Sequence, residues 1–126
     1  MDLLKIFKTD HEGIRKSHVK NLISVAMADG HLDEFEWELL VSIARALGME
    51  ESEIINIKNN TEDISFIPPK KFEDKVTQIT DLVAIMTIDG QISPRELELC
   101  KKISVKLDVL PQMVDEIVND IYPQKS

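Results

Sequence analysis

Apolar residues recur every three or four positions along most of the chain, which predicts amphipathic helices throughout. Ile14, Val19, Leu22, Ile23 and Ala26 form one stripe, and Phe72, Val76, Ile79, Val83 and Met86 form another. The first stripe stops at Asp29-Gly30, where glycine can take the left-handed conformation that closes a helix and Leu32 can fold back on the last turn. A new helix is predicted almost at once, because Asp33-Glu34-Phe35-Glu36 and Ser93-Pro94-Arg95-Glu96 both read as capping boxes. In the second of them, Pro94 stands at the first helical position. From about Glu34 to Leu47 the helix is apolar nearly all round, which predicts a central, largely buried position. Gly48 ends it, and a shorter helix is expected near Ser52 to Ile57, with counterparts at Pro94 to Leu107 and Pro111 to Ile121. No run alternates in the way a half-buried strand would.

Sliding the chain by 60 positions superimposes its halves without a gap. Leu22/Leu82, Asp29/Asp89, Gly30/Gly90, Glu36/Glu96, Leu39/Leu99, Ile43/Ile103 and Leu47/Leu107 are identical pairs, and Val19/Ile79, Ile23/Val83 and Leu32/Ile92 are conservative ones. The expectation is an all-α fold: a compact bundle of about six to seven helices, built from two pseudo-twofold-related helix–Asp-Gly–helix repeats. Residues 1–126 then form one domain, with repeat one at about 10–58, a linker at about 59–69 and repeat two at about 70–121. The linker is polar at Asn59-Asn60-Thr61-Glu62-Asp63, and Pro68-Pro69 excludes helix before the fourth element.

Charge narrows the classes of function. The net charge of −8 lacks the basic footprint that phosphate backbones require, so nucleic acid is excluded as an expected partner. Cations or basic partners suit it better. Cys100 is the only cysteine, so no internal disulfide can form and a reducing, cytoplasmic location is expected. The opening residues lack the apolar length of a signal peptide, and no stretch reaches the roughly 20 apolar residues of a membrane span.

The acidic corners carry the main candidate chemistry. Asp29-Gly30-x-Leu32-x-x-x-Glu36 and Asp89-Gly90-x-Ile92-x-x-x-Glu96 match the back half of an EF-hand loop. Its first and third positions would be Val25 and Met27, then Ile85 and Thr87, so neither loop can close around calcium by itself. A twofold-like packing could instead join the corners, so that Asp29, Glu36, Asp89 and Glu96 offer oxygens to one divalent cation. The competing reading is structural. Each Asp holds a backbone amide two residues on, and each Glu completes its capping box. From Asp29 to Glu53 eight acidic residues stand against Arg45 alone, a solvated face that would also attract cations or a basic partner.

Ala28-Asp29-Gly30-x-Leu32-Asp33-x-x-Glu36, followed by Leu40, Ile43, Ala44 and Leu47-Gly48, resembles the TerB-like family, named for tellurite resistance. Asp89-Gly90-x-Ile92-Ser93-Pro94-x-Glu96 resembles that family's other corner, and the likeness runs roughly from Val19 to Ile121. The resemblance implies a compact all-helical domain and a role in metal binding or membrane-associated stress response through the positions of Asp29, Glu36, Asp89 and Glu96. Similar domains attached to a membrane-bound DnaJ-type co-chaperone imply an interaction role. The second copy departs from the usual Ala-Asp-Gly, reading Ile88-Asp89-Gly90.

No nucleophile with a nearby base and no phosphate loop declares itself, so an enzyme is not expected. A buried carboxylate pair with raised pKa in a pocket would reopen that question. His11 and His18 read as exposed surface histidines, Cys100 as a buried small hydrophobe, and Trp37 as a second core contact or, if exposed, a partner surface. Leu3, Leu4, Ile6 and Phe7 are expected to pack on the domain rather than dip into a membrane. The functional expectation is a non-enzymatic binding or scaffold module, with a protein partner or a second copy as its ligand. The alternative is a divalent-cation-binding stress-response protein using the paired corners.

Overall fold

A computed structural model describes residues 3–121, with side chains from residue 11 onward. Six α-helices follow one another: α1 (Leu3–Ala26), α2 (Glu34–Ala46), α3 (Glu51–Asn59), α4 (Phe72–Thr87), α5 (Pro94–Lys106) and α6 (Gln112–Ile121). A short 3-10 turn, Thr61–Asp63, lies between α3 and α4. The fold is compact and all-helical, and the helix bounds recur at the sixty-residue offset in α2 and α5. No helix among the described residues is long and apolar enough to cross a membrane. α1 begins well upstream of the stripe that announced it, because nothing between Leu3 and Glu12 breaks a helix. The expected packing of Leu3, Leu4, Ile6 and Phe7 concerns side chains outside the described residues.

The centre is the α1–α4 pair. Val19, Leu22, Ile23, Val25 and Ala26 of α1 are buried together with Ile79, Leu82, Val83, Ile85 and Met86 of α4. Burying a side chain of this kind stabilises the fold by about 1.5–3 kcal/mol before entropy is counted. The central place expected for α2 is therefore taken. Only Glu36, Leu40 and Ala44 of α2 are buried, Phe35 is exposed, and Trp37, Leu39, Val41 and Ile43 are half-buried against the core. A helix of 13 residues laid over two others buries one face, whatever its remaining positions carry. In α5 the buried positions Glu96, Cys100 and Ser104 match Glu36, Leu40 and Ala44 at the same offset.

α2 and α5 end alike. Met49 N–H reaches the Ala44 carbonyl and Gly48 N–H that of Arg45; Val109 and Asp108 do the same to Ser104 and Val105. These are paired Schellman closures, sealed by buried Met49 and Val109. The left-handed residue is Gly48 (φ 89°) in one and Asp108 (φ 61°) in the other.

The linker is fastened to one face of α1. The Ser17 hydroxyl accepts from Ile67 N–H at 2.9 Å, and Lys20 Nζ donates to the Ile64 carbonyl at 2.8 Å. Gly13, one turn earlier, leaves room for Ile67, whose Cδ1 would lie 2.7 Å from a Cβ at that position.

Candidate functional site

Each acidic corner is made by local chemistry. Past the end of α1 the chain turns at Gly30 (φ 98°), and past α4 at Gly90 (φ 83°). Asp29 Oδ1 accepts from His31 N–H at 3.4 Å, and Asp89 Oδ1 accepts from Gln91 N–H at 3.0 Å, so both aspartates brace their turns. His31 also approaches Asp29 at 3.8 Å. Asp33 then caps α2, accepting from Glu36 N–H at 2.8 Å, and Ser93 caps α5, accepting from Glu96 N–H at 3.5 Å.

The capping boxes stop halfway. Among the described residues, no bond returns from Glu36 to the Asp33 amide or from Glu96 to the Ser93 amide. Both glutamates are instead buried, each 3% exposed, and Glu36 Oε2 has no hydrogen-bond partner.

These two corners meet. Carboxylate oxygens of Asp33, Glu36 and Asp89 all lie within 4.8 Å of one another, although Asp89 is more than fifty residues away in sequence. Burial raises Glu36 to about 8, helped by the charges of Glu96, Asp33 and Asp29 and by a hydrogen bond with Asp33. Burial raises Glu96 to about 7, with Asp29 and Asp89 adding to the effect, while a hydrogen bond from Glu36 opposes it. Ionised, Glu36 has no donor for Oε2; protonated, it can donate toward Asp33 or Glu96. The converging group is therefore Asp33, Glu36 and Asp89, with Asp29 and Glu96 near enough to act on the buried acids, and both Glu36 and Glu96 are pushed toward the protonated form.

Of the four sequence candidates, Glu36 and Asp89 are in the converging group, while Asp29 and Glu96 lie outside it. Asp33 had been assigned to capping alone, and the signal for more was its repeat partner, Ser93: a serine caps as well, so capping does not require a charge there. His18 needs a larger correction. It is buried at 3% exposure, its Nε2 lying 2.8 Å from Asp81 Oδ2, while His11 is exposed as expected. The four-residue spacing Ile14, His18, Leu22 already placed it on the inward stripe of α1. Trp37 is half-buried against the core beneath Lys58 Nζ, 5.7 Å from the ring centroid, and is not a bare aromatic surface. Cys100 is fully buried, and desolvation pushes its thiol up to about 12.

An all-helical module with two Asp-Gly corners drawn into one carboxylate cluster is the class defined by this fold and geometry. The family model of the tellurite resistance protein TerB matches residues 3–59, which span α1 to α3 and include the first corner, and over that span the chain is TerB-like. Neither the curated proteins nor the solved structures yield a match.

Proposed function

We propose that this TerB-like chain is a non-enzymatic binding module that holds a divalent cation between its two Asp-Gly corners. The supporting observation is the convergence of Asp33, Glu36 and Asp89 to within 4.8 Å, with Asp29 and Glu96 close enough to perturb the buried acids. The donor set fits such an ion. It is all oxygen, which suits calcium, magnesium or manganese better than zinc. It also contains Glu36 Oε2, a buried acceptor that a cation would satisfy. Binding would displace the proton from Glu36, so affinity should rise with pH.

The buried, raised carboxylate pair is the kind of feature that could signal acid–base catalysis. We favour binding, because neither Glu36 nor Glu96 lines the cavity beside His18 or the one at Arg45–Ser52, and both side chains are too buried for an organic substrate to reach, whereas a bare ion needs only the carboxylate oxygens. A cytoplasmic setting accords with a single buried cysteine.

Calorimetric titration of the full chain with calcium, magnesium, manganese and zinc tests the proposal. The expected result is one saturable event with release of a proton, stronger at pH 8 than at pH 6, and absent in Glu36→Gln. At a hundredfold excess over Kd the ion should stabilise the fold by about 2.7 kcal/mol. No heat and no change in melting temperature with any of the four ions would end it.

A further inference from the structure

A cavity of about 410 Å³ opens between the middle of α1 and the first half of α4, away from the acidic corners that follow the C-terminal ends of both helices. Its volume falls within the range of small-molecule sites, roughly 300–1,000 Å³. His18 stands eight residues before the end of α1 at Ala26, so about 12 Å of helix separates it from the turn that carries Asp29.

The cavity has an apolar wall and a cationic rim. Ile14 and Leu47 are half-buried and Pro69 is buried, and together they form the wall. Arg15, Lys70 and Lys71 are exposed around it. In a chain of net charge −8, these three face only two carboxylates, Asp74 and Asp81, and Asp81 is already joined to His18. Lys71 is the N-cap of α4 and supplies no side-chain cap, so the positive end of that helix adds to the same field. His18 supplies a separate indication. Its Nε2 is taken by Asp81, but its Nδ1 is buried and has no partner. A buried ring nitrogen without a partner is costly; with Nε2–H given to Asp81, a carboxylate oxygen can serve Nδ1 when the ring is the imidazolium, and a hydroxyl or water bound with the ligand can serve it when the ring is neutral.

We infer that this cavity binds a small amphipathic carboxylate, with its hydrocarbon tail on Ile14, Leu47 and Pro69 and its carboxylate among Arg15, Lys70 and Lys71. Such a ligand matches the wall by apolar contact and the rim by charge, and neither part alone accounts for both.

Decanoate, kept below its micelle-forming concentration, is the probe, titrated into the full chain and followed by calorimetry and backbone-amide NMR. Saturable one-to-one binding is expected, with shifts centred on Arg15, His18 and Lys71. The double reversal Lys70→Glu/Lys71→Glu should weaken it by roughly tenfold, the scale of two partly screened ion pairs. Lys102→Glu, on the exposed side of α5, should leave it unchanged, and so should Glu36→Gln. Four outcomes overturn the inference: no saturation, equal affinity for decyltrimethylammonium, indifference to the double reversal, or binding to anionic vesicles without binding to free decanoate.

Discussion

A glutamate at the third position of a helix commonly reaches back to the N-cap amide, and Glu36 and Glu96 do not. They point instead into a space where carboxylates from the other repeat already stand, so the proton becomes the cheapest counter-charge available to them. Replacing that acid by an amide of the same shape should make the cation-free protein less sensitive to alkali. In chelator at pH 9, Glu36→Gln is expected to melt several degrees above the parent and to lose the melting response to divalent ions. Calorimetric melts of both proteins read this directly, and a variant that melts lower at every pH would contradict it. Cys100 offers a second residue-scale measurement. With its thiol pushed up to about 12 and no exposed surface, it should resist a thiol reagent in the native state and react once in denaturant. At this scale the sequence displayed Asp29, Glu36, Asp89 and Glu96 through their repetition, and Cys100 through its apolar neighbours. Asp33 and His18 were harder to read, because capping alone explains an aspartate and a histidine has no firm burial preference to set against its inward spacing.

Caps and closures are where the two repeats differ, and the differences can be exchanged. Asp33→Ser would give α2 the cap that α5 already has, keeping the bond to Glu36 N–H while removing one charge beside the buried acid. The cation-free fold should then gain stability near pH 8 and bind divalent ions more weakly; Asp33→Ala would also forfeit about 1 kcal/mol of capping. Comparing the melting temperatures of the three proteins in chelator separates cap from charge. At the other end of α2, Gly48 has φ 89° and open space around any added Cβ, so Gly48→Ala should cost about 1–2 kcal/mol through backbone strain alone. Gly48→Asp should cost less, since Asp108 holds the equivalent turn at φ 61°. Periodicity and stop signals located all six helices, because helix grammar is local. They misjudged α2, because whether a wide apolar arc is covered depends on what else the chain brings to it.

Across the whole molecule the two long inner helices run from a cationic cavity to an acidic cluster. The folded-state values of Glu36 and Glu96, about 8 and about 7, lie above the ordinary value of 4.5. Between those limits the native state holds more protons than the unfolded chain, so stability falls as pH rises. Without metal, the contribution of these two groups to stability should be fully present below pH 4.5 and lost progressively as pH rises through 7 to 8. Saturating calcium or magnesium should flatten the upper part of that curve. Denaturant titrations at several pH values, with and without the ion, measure it. The repeat suggested that the corners could meet, but their meeting is set by how α1 and α4 pack, which no local pattern encodes. The linker has a mechanical corollary. Because Ser17, Lys20 and the gap at Gly13 clasp it along α1, a protease nick between Glu62 and Asp63 should leave two fragments that travel as one species on a sizing column and part only in denaturant.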